Sequence, residues 1–172
     1  MWTEPVQGRK TLLGKHGEVV LFGNKTVAWF DVWSFEHFMS GMATVVTIEF
    51  LFRKFLPEIY DTKFISEKKR KGIMLIGYAV LVYLWETIEF YLEEGYTNIE
   101  RVTYWFQGVE FWANRLITDP AITLSGAALG LSFKRISPVA RVISLTWLML
   151  HVFVFPDCMY LQNRYFGTLT FP

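Results

Sequence analysis

The sequence predicts an all-α, polytopic membrane protein with about four transmembrane helices, one interfacial helix and a short N-terminal headpiece shaped like a β-hairpin. Three observations predict it. Of the 172 residues, 52% are hydrophobic, 18% aromatic and only 19% charged, a composition far from that of an average soluble domain. Apolar runs with helical character alternate with polar loops. Lys and Arg collect on alternate loops, the bias that orients membrane helices. No run reaches about 18 uncharged residues, the usual length for a span, so a soluble bundle of very apolar helices is the competing class.

Residues 1–32 read as an extended headpiece. Two β-prone stretches flank Gly23-Asn24, a residue pair that suits a two-residue hairpin turn. Met1 to Gly17 offers no apolar run of the length a cleavable signal needs. The four-helix membrane domain follows over residues 33–157. Its first helix is expected from Trp33 to Phe52, capped by Asp31 or Ser34, with Ser40, Gly41 and Ala43 as a small-residue patch where another helix can approach. Glu49, near its far end, is expected to pair with Arg53 or to reach the headgroups.

Arg53 to Lys71 holds seven Lys or Arg against three acids and reads as a cytoplasmic loop. The second helix, Gly72 to Gly95, carries no charge over the thirteen residues after Gly72 and then sets Glu86, Glu89 and Glu93 on one face. At about 1.5 Å per residue Glu86 lies roughly 22 Å in from Lys71, inside a hydrocarbon layer of about 30 Å. An ionisable group at that depth turns toward protein, water or a ligand. The outer loop, Glu93 to Thr118, contains the aromatic stretch Val102 to Ile117, expected as an interfacial helix. The third helix is expected to begin at Asp119-Pro120, Asp as cap and Pro in the first turn, and to pack through Ser125, Gly126 and Gly130. Lys134, Arg135 and Arg141 form the second basic loop, and Val142 to Phe155 the fourth helix. Residues 158–172 read as an extended tail. Both termini are then extracytoplasmic and both basic loops cytoplasmic.

In this topology the ionisable groups converge on one outer-leaflet region: His37, Glu86, Glu89, Asp119 and His151, with Glu36, Glu93, Arg101, Glu110, Asn114 and Arg115 as secondary candidates. Two carboxylates one helical turn apart, as Glu86 and Glu89 are, repel unless a proton, a cation or an arginine intervenes. Arg101 and Arg115 are the available arginines. A hard metal held by Glu86, Glu89, Asp119 and a histidine is conceivable, although the spacing follows no established ligand signature. Net charge of +1 argues against a nucleic-acid partner. The single cysteine, Cys158, excludes an intramolecular disulfide and a cysteine-rich metal site. No glycine-rich phosphate loop, no HExxH and no serine with a nearby base is present, which removes the NTPase, zincin and nucleophilic hydrolase classes.

His37 within EHFMSG, Glu86 and Glu89 within WETIEF, and Asp119 followed by Gly126 and Gly130 resemble the short motifs of the VanZ-like membrane proteins. Thr123 stands where that pattern has Asn. Glu110 and Asn114 are similar to the acid and asparagine that follow a Trp-Glu-x-x-Glu helix in a related group of small membrane proteins. The resemblance spans roughly Trp33 to Gly130 and implies an α-helical integral membrane protein of the cell envelope. The leading functional expectation is a non-catalytic module or subunit of a larger membrane complex, its outer pocket taking a lipid headgroup, a cation or a partner. The alternatives are an enzyme acting on a lipid or envelope precursor, with Glu86 or Glu89 as general base and His37 as its partner, and a haem protein using His37 and His151.

Overall fold

The apolar runs become helices longer than the runs themselves. The computed structural model describes residues 19–60, 65–155 and 157–171, so the expectation for Met1 to Gly17 lies outside the described residues. Its long helices are α1 (Trp33–Phe55), α3 (Glu67–Glu93), α5 (Asp119–Ser132) and α6 (Ser137–Met149). Short helices α2 (Pro57–Tyr60), α4 (Glu100–Phe106) and α7 (Tyr160–Tyr165) connect or follow them. α3 starts well before Gly72 because the Ser66 side chain accepts the Lys69 amide, capping a basic first turn that water can solvate. α6 is continuous with a 3₁₀ turn before it (Lys134–Ile136) and a π-helical turn after it (Leu150–Val154). The molecule is mostly helical, and among the described residues two helices are long and apolar enough to cross a membrane: Glu67–Glu93 and Lys134–Val154.

α1 and α5 form a parallel central pair, and glycine sets their separation. A Cβ on Gly41 would fall 2.1 Å from the Thr123 carbonyl oxygen, one on Gly126 2.1 Å from that of Phe38, and one on Gly130 2.5 Å from that of Met42. Only hydrogen fits there. Ser125 is not part of this face, because it is exposed and its hydroxyl donates to Ala121 O at 2.7 Å. α6 runs antiparallel along α1, linked through Ser144 Oγ to Glu36 Oε1 (2.7 Å) and Arg141 Nη2 to Thr47 Oγ1 (3.0 Å). α3 packs chiefly on α5, and an apolar cluster of Val45, Tyr78, Val82, Ala127 and Leu131 ties it to the pair. At the basic end Glu49 accepts from Lys134 Nζ (2.6 Å) and from the Tyr60 hydroxyl, so its partner is Lys134 and not Arg53. The guanidinium groups of Arg53 and Arg70 lie 5.0 and 4.8 Å from the Tyr60 ring centre.

The termini differ most from expectation. Strand β1 (Val19–Phe22) does not fold back through Gly23-Asn24 as a hairpin. Asn24 instead opens a helical turn, its carbonyl accepting from both Val27 and Ala28, and the chain returns with Phe30 running parallel to β1. The antiparallel partner of β1 is β2 (Leu169–Phe171) in the tail. The Val20 and Leu21 carbonyls of β1 accept from the Trp29 and Phe30 amides, and β2 pairs along the other edge of β1, so the strand's backbone groups are satisfied from both sides. The tail is therefore not free: α7 and β2 bring it back onto the headpiece. The expected interfacial helix is likewise two pieces. α4 ends at Gln107 and Gly108, both at positive φ, and the chain re-enters helix only at Trp112.

Candidate functional site

Asn114 to Thr118 is a π-helical turn that runs straight into α5, so Asp119 is not a cap but lies inside a continuous helix. Pro120 has no amide hydrogen to return to Leu116, and the Leu116 carbonyl accepts instead from Tyr83 Oη of α3 at 3.1 Å. The local widening turns Asn114, Arg115 and Asp119 inward together, as π turns at functional sites commonly do.

Around them the structure gathers His37, Glu86, Glu89, Glu93, Glu110 and Asp119. His37 Nε2 lies 3.1 Å from Asp119 Oδ2, an ion-pair separation without the alignment of a hydrogen bond. Its Nδ1 is 3.4 Å from Thr123 Oγ1. One ligand-capable atom from each of His37, Glu86 and Glu89 lies within 4.8 Å of the others, and the same holds for Glu86, Glu110 and Asp119. Glu86 belongs to both sets. It is 1% exposed, and neither of its carboxylate oxygens has a hydrogen-bond partner among the described residues.

The arginines go elsewhere. Arg115 bonds Glu93 and stands 3.6 Å from Glu110 Oε2, while Arg101 is exposed on α4. Glu93, expected at the interface, is buried and clasped from its other side by Lys25. Lys25 and Asp31 are the residues that sequence reasoning missed at this site. Lys25 looked like one more polar headpiece residue; only the return of the headpiece over α4 carries it inward, 5.0 Å from the Phe106 ring. Asp31 was visible as a cap, and it does accept the Trp33 and Ser34 amides (2.7 and 3.3 Å) through Oδ1. Its second oxygen points into the site, 3.4 Å from Asn114 Nδ2, and the same nitrogen donates to Glu110 Oε1 at 2.9 Å. Burial first, and the Asp119 charge second, push the Asp31 carboxyl up to about 7. Burial and the charges of Asp119, Glu89 and Asp31 hold Glu110 well above the ordinary carboxylate range.

Two candidates fall outside the cluster. Glu36 accepts from Ser144. His151, in the π turn after α6, is fully buried with Nδ1 against Trp147 O (2.9 Å) and its ring 4.8 Å from Trp33 and 4.9 Å from Trp147. It joins an aromatic cage and is not among the residues lining the cleft that His37 lines.

The cluster forms one end of a cleft of about 600 Å³. α1 is its floor, α3 and α6 are its walls, and α4 with Lys25 closes the acidic end. From Glu89 to Tyr78 along α3 it runs roughly 17 Å, at about 1.5 Å per residue. Trp33, Leu81, Val82, Trp85, Trp105 and Leu148 line it, and the Tyr78 hydroxyl bonded to Thr44 bounds the far end. α4 is fastened above it by Cys158, whose amide donates to Trp105 O (2.9 Å) and whose thiol donates to Phe106 O (3.0 Å). Burial pushes that thiol up to about 12. Set against protein-family models, curated proteins and solved structures, the chain matches none of them.

Proposed function

We propose that the protein is a non-catalytic integral membrane module that binds a single lipid, its chain against the apolar cleft walls and its headgroup at the acidic end. The observation that carries this reading is the cleft: elongated along α3, aromatic and aliphatic along its sides, with most of its charged groups at one end and the Tyr78 and Thr44 hydroxyls at the other. Such a shape suits an amphiphile better than a compact polar substrate.

The membrane assignment has support in where the apolar surface lies. Only 22% of the apolar window of α3 and 17% of that of the Lys134–Val154 helix are buried, whereas the core helix of a soluble protein is mostly enclosed. Ile76, Val80, Leu84 and Ile88, spaced by four, form an exposed stripe on α3, and Val142, Leu145, Met149 and Phe153 do the same on α6. A contiguous apolar surface of this extent is a liability in water and ordinary in lipid. α1 and α5 complete the four-span reading, with the ionisable groups of α1 turned onto protein partners. The basic end, with Arg53, Lys54, Lys68, Lys69, Lys134 and Arg135, then faces the cytoplasm, and the paired termini lie outside. The short VanZ-like motifs agree with a cell-envelope location, and the exposed aromatics offer surface for partner subunits.

Native mass spectrometry after gentle detergent extraction tests the lipid. The wild-type chain should carry one retained lipid, and Leu148→Trp, which fills the cleft from the α6 wall, should lose it while staying folded. A wild-type chain that flies without lipid, or a filled cleft that retains it, rejects the reading.

A further inference from the structure

We propose that Glu86, Glu110 and Asp119 bind one hard divalent cation at the closed end of the cleft. The three carboxylates come from α3, from the loop after α4 and from the first turn of α5, and a ligand atom from each already lies within 4.8 Å of the other two. Oxygens bound to one cation at about 2.4 Å lie no more than about 4.8 Å apart, so the three groups are close enough to share a coordination shell. All three side chains are nine-tenths or more buried.

The stronger observation is what Glu86 lacks. A buried carboxylate normally accepts from a backbone amide, a hydroxyl or a cationic side chain, because leaving it unpaired in a dry site is costly. Both Glu86 oxygens are enclosed and unpartnered, and so is Asp119 Oδ1. Among the basic side chains at hand, Lys25 and Arg115 do not answer them, since both bond Glu93, and His37, though close, makes no hydrogen bond to Glu86. The other two carboxylates are held from behind instead: Asn114 Nδ2 donates to Glu110 Oε1, and His37 stands against Asp119 Oδ2. Outer groups that orient carboxylates while leaving oxygens free toward a common point are what a metal site requires. An all-oxygen donor set selects magnesium, calcium or manganese over the softer metals that seek sulfur and imidazole. His37 and Glu89 form a second such group with Glu86, and all three line the cleft.

The inference goes beyond lipid binding and does not depend on it, because the three carboxylates meet whether or not a chain fills the cleft. Mn²⁺ is the probe: a hard divalent ion whose free aqua form gives an electron paramagnetic resonance signal that disappears on binding. The full-length chain, delipidated in detergent and stripped with EDTA, should take up one Mn²⁺. Glu86→Gln and Asp119→Asn should each bind it at least tenfold more weakly, and Glu36→Gln, whose carboxylate bonds Ser144, should bind as wild type does. Thermal melts separate loss of the site from loss of the fold. Metal-free Glu86→Gln should melt no lower than metal-free wild type, and Mn²⁺ should raise the melting temperature of wild type alone among these two. Failure of the wild-type chain to take up Mn²⁺ overturns the proposal and leaves protonation as the means by which Glu86 is buried. Undiminished binding in both Glu86→Gln and Asp119→Asn overturns it equally.

Discussion

His37 Nε2, one turn into α1, stands 3.1 Å from Asp119 Oδ2, at the start of α5, and this pair is the registration mark of the central helices. The two helices run parallel and in contact from there, so the imidazole and the carboxylate can meet only while the glycine seam below them stays closed.

That seam gives the first prediction. Lipid offers little hydrophobic drive for helix association, which leaves close backbone packing as a principal source of cohesion. Gly126→Ala places a Cβ 2.1 Å from a backbone oxygen that cannot move aside as a side chain can. We expect a loss on the order of 1–3 kcal/mol, and more for Gly126→Leu. Gly72→Ala and Gly77→Ala, where nothing lies within 4 Å, should instead stabilise by about 0.5–1 kcal/mol through helix propensity. Melting temperatures of the three alanine variants in one detergent check the opposite signs.

Glu93 carries the second. Its two oxygens separate Lys25 from Arg115 in a buried site, so Glu93→Gln leaves Lys25 without its anion and Arg115 with only the longer contact to Glu110. Breaking a buried pair from the shared side should cost on the order of 3–5 kcal/mol. Lys25→Met leaves Arg115 to neutralise Glu93 and keeps an apolar contact with Phe106, so it should cost clearly less. Thermal melts that rank the two variants the other way round would contradict the assignment of Glu93 as the centre of the knot.

Asp31 supplies a pH dependence. In an unfolded chain its carboxyl titrates near 3.9, and in the fold at about 7. Below about pH 4 it is protonated in both states and costs nothing. As pH climbs from about 4 to 7 the unfolded chain ionises and the folded one does not, so stability falls across that window and levels off above it. Asp119 and Glu110 add negative field at this point, while Lys25 and His37 oppose it. Asp31→Asn keeps an acceptor for the Trp33 and Ser34 amides, and in EDTA it should flatten the melting profile between pH 4 and 7. An unchanged slope would assign the dependence to other groups.

Orientation is the fourth. Lys69 and Asn98 are exposed at opposite ends of the 27-residue α3, about 40 Å apart at 1.5 Å per residue. Cysteine placed at Asn98 should react with an impermeant maleimide from outside intact cells, and cysteine at Lys69 only after permeabilisation. The native Cys158 is buried with its thiol held protonated, so it should contribute no background. Labelling at Lys69 in intact cells would invert the topology.

Sequence alone determined where the long helices lie and which residue types had to come together, but not the short helices α2 and α7, which fall in stretches read as loop and extended tail. Uncharged runs in α3 and α6, the glycines of α5 and the late carboxylates Glu86, Glu89 and Glu93 are local signals, and local signals survive in one dimension because helix periodicity and residue size act over a few positions. What each buried charge would meet was decided only by tertiary structure. Glu86 and Glu93 are about two turns apart on the same helix, yet Glu93 is clasped by Lys25 and Arg115 while Glu86 bonds neither, because the partners arrive from the headpiece and from the π turn before α5. Nothing near Lys25 marks it as a buried base, and nothing near Gly23-Asn24 reveals that β1 will pair with a strand at the other terminus. Pairings of that kind depend on which chain segments are left with unsatisfied backbone and unpaired charge once the helices have packed, and that is settled by the whole fold at once.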